Sequence, residues 1–213
     1  MGKNEAATNV RARNPRGEGA RLRDEIVAAA VELLDETGEE SAITLRSVAR
    51  RAGIAAPSIY RHFPDQPAIM LAVVQDAFAE LNEELAEAVR AHGDSPRGRL
   101  LAVCYGYLDF ARARPGRYRT MFGGIWAPDL KDASVTENDL AILGQTSLQL
   151  LADALEDCVA AGEATSTDPA ADAVALWLGL HGLAHQQAVA PNFPWPPDIS
   201  ERLITALAHF TTE

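Results

Sequence analysis

Between Ser41 and Pro64 stand four arginines, Arg46, Arg50, Arg51 and Arg61, and no acidic residue. Thr44, Ser58, Tyr60 and His62 add hydroxyl and ring donors to the same stretch. The chain as a whole carries a formal net charge of −11, so this is a local basic footprint on an acidic protein. Backbone phosphates of a nucleic acid attract such a footprint whatever the base sequence. A solvated basic face is the other reading of the same charges. Elsewhere, His181 and His185 stand four apart, a spacing that brings two imidazoles onto one face of a helix. A shared metal is one reading, but the glutamate of an H-E-x-x-H motif is missing and no third ligand stands out. No G-x-S-x-G elbow and no phosphate-cradling glycine loop occurs, so neither catalysis nor a cofactor is expected.

The elements that must position the basic stretch follow from its spacing. Thr44 suits a helix N-cap, and Leu45, Val48 and Ala49 make a short apolar face. Gly53 suits the left-handed turn that ends such a helix. A second helix is expected from near Ala55, with Pro57 in its first turn, and Ile59 and Phe63 facing inward. Ala56, Pro57, Ser58, Arg61 and His62 are left facing out. Two short helices joined by a glycine-containing turn have helix-turn-helix geometry.

The run from Ile43 through Thr44, Val48-Ala49 and Ala52-Gly53-Ile54, followed by Ser58-Ile59-Tyr60-Arg61-His62-Phe63, resembles the DNA-binding domain of the tetracycline-repressor (TetR) family. The resemblance extends from about Arg21 to Met70. Arg46 and Arg61 are expected to reach base edges, Pro57 and Ser58 to sit at the groove floor beside the outward Ala56, and Thr44, Tyr60 and His62 to meet phosphates. One departure is Gln66, where the family usually has a lysine supporting a phosphate contact. A weaker grip is expected there.

At 213 residues the chain can hold one or two domains, each with a real core. Residues 1–19 are read as a disordered basic tail with no apolar signal segment, residues 20–66 as the helix-turn-helix domain, and residues 67–213 as a helical body. A first helix is expected over about Arg21–Thr37, and Asp65 is expected to cap a long helix from Gln66 to about Arg90. In the body, Ser95-Pro96, Thr136 and Asp168-Pro169 read as helix starts, the one at Thr136 running to about Ala161. A last helix is expected from Ile199 to Phe210. The chain is therefore all-α, with about nine helices. Cys104 and Cys158 read as reduced thiols of a cytoplasmic protein, a disulfide being the less favoured alternative. The apolar run Ala173–Ala184 is too short to span a membrane.

Trp177-Leu178-Gly179-Leu180-His181-Gly182 resembles the Trp-x-x-x-His-Gly pattern of a WHG-type C-terminal domain of the same family, and Gly116–Phe122 resembles the segment preceding it there. These resemblances imply a homodimer through the helices starting near Ala170 and Ile199, and the apolar pattern of those helices adds the expectation that Leu180 and Leu207 lie in the seam. They also imply a small-molecule effector pocket. For the pocket, Tyr105, Phe122, Trp126, Trp177 and His181 are the expected residues. Large rings at helical spacing read equally as core, so residue by residue both remain open. From Gln66 onward there are 9 basic and 20 acidic residues, which admits a cationic effector. The reading is a one-component transcriptional regulator, a repressor. As a dimer it would bind double-stranded operator DNA until a small molecule releases it. The alternative is a helical protein that binds small molecules or partners without regulating through DNA.

Overall fold

A computed structural model describes residues 18–124, 126, 128–131 and 133–211. The basic tail of residues 1–17 lies outside them. The described residues form ten α-helical segments and one short 3-10 turn, all-α as expected. None of these helices is long and apolar enough to cross a membrane.

The head is built from α1 (Glu18–Thr37), α2 (Leu45–Arg51) and α3 (Ala56–Ile59). Its core gathers Ile26, Ala30, Leu34, Ile43, Val48, Ile59 and Phe63, of which Val48, Ile59 and Phe63 are residues whose spacing marked the inward faces. Thr44 caps α2 through a capping box, its hydroxyl accepting from the Ser47 N–H at 3.0 Å. The expected second helix is regular only over Ala56–Ile59. It continues as a turn in which the N–H groups of His62 and Phe63 both donate to the Ile59 carbonyl.

α4 (Gln66–Ala91) then leaves the head and enters the body. Ile69, Met70, Ala72 and Val73 belong to the head core, whereas Val74, Phe78, Leu81 and Leu85 belong to the body core. The head cluster therefore runs past residue 66 as far as Val73. The body comprises α5 (Pro96–Ala113), α6 (Pro115–Phe122), α7 (Glu137–Ala141), α8 (Gln145–Ala160), α9 (Pro169–Val189) and α10 (Ile199–Leu207). α5 packs on α4 and α8, and α9 packs on α8 and α10. Cys104 and Cys158 are both buried and unbridged.

Two expected helices end differently. The helix expected from Thr136 to Ala161 is broken into α7 and α8, because Gly144 takes a φ of 75°. The final helix stops at Leu207 rather than Phe210. His209 turns left-handed, and the chain pairs back on residues 163–165, Thr165 N–H donating to the His209 carbonyl at 2.9 Å.

Asp65 ties the start of α4 to the loop before α7. Its carboxylate accepts from the Ala68 N–H at 2.9 Å, the Ser134 N–H at 2.7 Å and the Ser134 hydroxyl at 3.0 Å. Desolvation raises the pKa of this carboxyl, and those hydrogen bonds outweigh it, holding the group below its ordinary range. We predict that Asp65→Ala lowers stability at pH 7 by about 0.5–2 kcal/mol, the usual cost of a lost cap. A depressed folded-state pKa gives stability that is fully present above the ordinary carboxylate pKa and lost as pH falls through the folded one. Urea midpoints of wild type and variant should therefore converge in acid.

Candidate nucleic-acid face and body cavity

The structure separates the four arginines of the basic stretch. Arg51 is committed: its guanidinium donates to Glu36 at 2.8 Å and to Glu32 at 3.2 Å, bracing α2 against α1. Arg46, Arg50 and Arg61 are exposed, and none of them forms an ion pair among the described residues. Thr44, Ala56 and Pro57 are exposed as well, Tyr60 is 56% exposed, and Ser58 and His62 are half-buried. These residues flank the buried Val48, Ala49, Ile59 and Phe63, so the inward anchors and outward donors alternate as a binding helix pair requires. Gln66, the departure from the family pattern, donates from Nε2 to the Glu40 carbonyl at 3.2 Å and so braces the head from within.

The body holds a cavity of about 500 Å³. α4 contributes Phe78, Leu81 and Leu85 to its wall, α5 contributes Val103 and Tyr107, and α6 contributes Met121 and Phe122. The break between α7 and α8 supplies Leu143 and Gly144, followed by Gln145, Ser147 and Leu148 on α8 itself. Trp177 and Leu180 close it from α9. That volume is ordinary for a small-molecule site, and so is a mostly apolar wall with a few polar groups.

Of the five expected pocket residues, Phe122 and Trp177 line this cavity and three lie elsewhere. Tyr105 is 38% exposed on the other side of α5, in a polar groove with Trp195 and Glu201. The reason is helical phase: two residues amount to about 200° of rotation, so Tyr107 faces in where Tyr105 faces out. The inward pattern of Leu100, Val103, Cys104, Tyr107 and Leu108 carries that signal. Trp126 packs between the head and body clusters instead. His181 sits behind the wall, where its Nδ1 meets the Tyr118 hydroxyl at 2.7 Å and the Tyr107 hydroxyl at 3.2 Å. Its ring stacks on Tyr118 at 5.7 Å and meets Phe122 edge-on at 4.9 Å. Burial, and then the charge of His185, lower its pKa, so the imidazole is neutral at pH 7. Among the described residues no group of three or more histidines, cysteines or carboxylates is placed to hold a metal.

α6 links the cavity to α4 by charge as well as by packing. Arg117 donates to Asp76 at 2.7 Å and to Glu80 at 2.9 Å, and Arg114 lies 2.7 Å from Glu80 and 2.6 Å from Glu84. Partly exposed pairs of this kind each stabilise little, but together they fix the register of α6 on α4. Leu180, expected in a dimer seam, is turned into its own chain. Leu180 is 1% exposed and belongs to the cavity wall, and a Cβ on Gly179 would meet Leu207 at 2.5 Å, so Gly179 serves α9–α10 packing within one chain. The large apolar side chains left exposed on α9 are Val174, Leu178 and Val189, with open space at Gly182.

A helix-turn-helix head set on a helical body is the architecture of a DNA-binding transcriptional regulator. Residues 26–73 match the family model for bacterial regulatory proteins of the tetR family, and residues 100–210 match the tetracyclin repressor-like C-terminal domain. The chain belongs to the tetracycline-repressor family. It is 29% identical over 147 residues, 69% of its length, to the HTH-type transcriptional activator FasR of Mycolicibacterium smegmatis, and the match spans 61% of that protein. A protein of unknown function from Rhodococcus sp. RHA1 superposes with a TM-score of 0.70 at 26% identity, covering 92% of this chain and 95% of that one. The fatty acid degradation regulator FadR of Bacillus halodurans shares the fold at 13% identity, with a TM-score of 0.66 over 93% and 97% of the two chains.

Gly144 shapes the cavity wall, and any side chain there would meet the Phe78 ring at 3.0 Å. We predict that Gly144→Ala destabilises the fold by about 1–2 kcal/mol, the cost of a left-handed conformation for a residue with a Cβ. A lower urea midpoint at unchanged slope is the expected readout.

Proposed function

We propose that this protein is a one-component transcriptional regulator whose dimer binds operator DNA through α2 and α3 and is released by a small molecule held in the body cavity. The observation that carries the reading is the shared helix: α4 contributes to the head core and to the cavity wall. A ligand that favours one packing of α4 and α6 then shifts the orientation of the heads. Its effect is limited by its differential affinity for the two arrangements. The free charges of Arg46, Arg50 and Arg61 support phosphate and base contact, and the exposed Val174, Leu178 and Val189 support pairing of α9 with its copy. Two heads must meet half-sites about 34–36 Å apart, which a two-fold dimer supplies.

Repression is the sense we favour. Activation is the second reading, because the curated relative from M. smegmatis is named an activator. A reporter fused to the DNA upstream of the gene separates them: deleting the regulator raises expression under repression and lowers it under activation.

Arg46→Ala should cost about 1–3 kcal/mol on operator DNA and relax base preference at one position. An equal loss on random duplex would make Arg46 a phosphate contact only. Tyr60→Phe should weaken binding to every sequence alike, since a phosphate bond is blind to sequence. For the dimer, Leu178→Glu places a charge in the proposed seam while sparing the core, and light scattering should then report monomers. A Leu178→Glu protein that stays dimeric would place the seam elsewhere.

A further inference from the structure

We propose that α7 is the gate of the body cavity, a short strap across its mouth that swings on Gly144 to let the effector pass. This rests on the reading of the cavity as the effector site and concerns how that site is entered.

Exposure locates the mouth. Leu81, Leu85 and Leu180 form the floor of the cavity, each at most 1% exposed. Ala141 and Gln145 line the same space, yet both stand exposed to solvent. The cavity therefore opens where α7 ends and α8 begins. The two sides of that opening are held very differently. α8 packs on α4, α5 and α9 and buries Leu151, Ala152, Ala154, Leu155 and Cys158. α7 buries none of its residues. Local opening costs least where few apolar side chains leave the core, so α7 is the side that moves. It also moves as a unit. The Thr136 N–H and hydroxyl donate to the Asp139 carboxylate at 2.8 and 2.7 Å, and the Asp139 N–H donates back to the Thr136 hydroxyl at 3.2 Å. Its first turn is thus closed by its own residues.

The ends of the strap supply an anchor, a plug and a latch. Val135 is 3% exposed and Ser134 is tied to Asp65, so the strap is pinned just before Thr136. At the other end Leu143 is half-buried, packs on the body core and lines the cavity, which makes it the plug. Gly144 follows with a φ of 75°, and a glycine absorbs a large change of backbone direction without a side-chain clash. Across this hinge Gln145 Nε2 donates to the Ala141 carbonyl at 3.1 Å. That hydrogen bond is exposed, so water replaces it when the strap lifts. One half-buried leucine and one solvent-facing hydrogen bond are what opening must break, against the packed face that would have to leave the core if α8 moved instead.

Tying the mouth shut tests this on the full chain. Ala141→Cys with Gln145→Cys places two exposed thiols astride the hinge, while Cys104 and Cys158 stay buried. The pair is bridged with bismaleimidoethane or, as the untied control of similar bulk, capped with N-ethylmaleimide. Stopped-flow fluorescence then follows entry and exit of Nile red, an uncharged apolar dye. Bridging should slow association and dissociation alike, each by at least about tenfold relative to capping, while Kd changes by less than about threefold. Equal rates in bridged and capped protein overturn the gate and leave the cavity reading standing. Slowing of one rate alone, with Kd shifted to match, does the same, because that is an altered wall and not an altered door. Leu148→Trp, which fills the cavity, should abolish dye binding. Absence of saturable dye binding to wild-type protein overturns both readings, as does binding that a folded Leu148→Trp protein retains.

Discussion

Val73 and Val74 are neighbours on one helix, yet the first is packed in the head core and the second in the body core. Most of what this molecule can do depends on that continuity. A helix resists bending because every turn of backbone hydrogen bonds would have to yield, so displacement at Phe78 or Leu81 is carried along the axis to Ile69 and Met70. Head and cavity are built on the same rod, and that is the physical basis of the proposed coupling. Asp65 and Ser134 add a second tie, anchoring the loop before α7 to the first turn of that rod.

α6 is the other half of the device. Its Met121 and Phe122 line the cavity and its Tyr118 meets His181 behind the wall, while Arg114 and Arg117 hold the acidic side of α4. Packing and charge thus point in opposite directions from one short helix. A ligand that moves Phe122 works against the arginine pairs. One Arg117 nitrogen, Nη1, is buried without a partner among the described residues, so the ionic contact is not saturated.

Much of this was legible in the chain. The head was readable because its caps and anchors are local: Thr44, Gly53, Pro57, Ile59 and Phe63 act within a few residues of one another. The long helix was readable from Asp65 and the apolar periodicity behind it. The cavity was less so, because which ring faces in depends on helical phase and on partners distant in sequence. Tyr105 and Tyr107 differ by two positions and end on opposite sides of α5. The break at Gly144 had a signal, a glycine inside a helical pattern, but its purpose depends on Phe78, 66 residues earlier. Arg51 looked like its neighbours until Glu32 and Glu36 were brought beside it. Leu180 looked like a seam residue because an all-round apolar helix does not say which side meets another copy.

The central claim is that the state of the cavity sets the spacing of the heads, and the distance between heads measures it most directly. Asp24 is exposed on α1 and forms no ion pair among the described residues, and Asp24→Cys offers one label site per chain. Cys104 and Cys158 are buried, and burial raises both thiol pKa values, that of Cys158 to about 11, so a thiol-reactive nitroxide leaves them untouched near neutrality. Pulsed electron resonance on the labelled dimer, with the cavity empty and then saturated with a ligand, reports the inter-head distance. A shifted distance distribution on saturation is the predicted result, and an unchanged one with the cavity demonstrably filled would contradict the account.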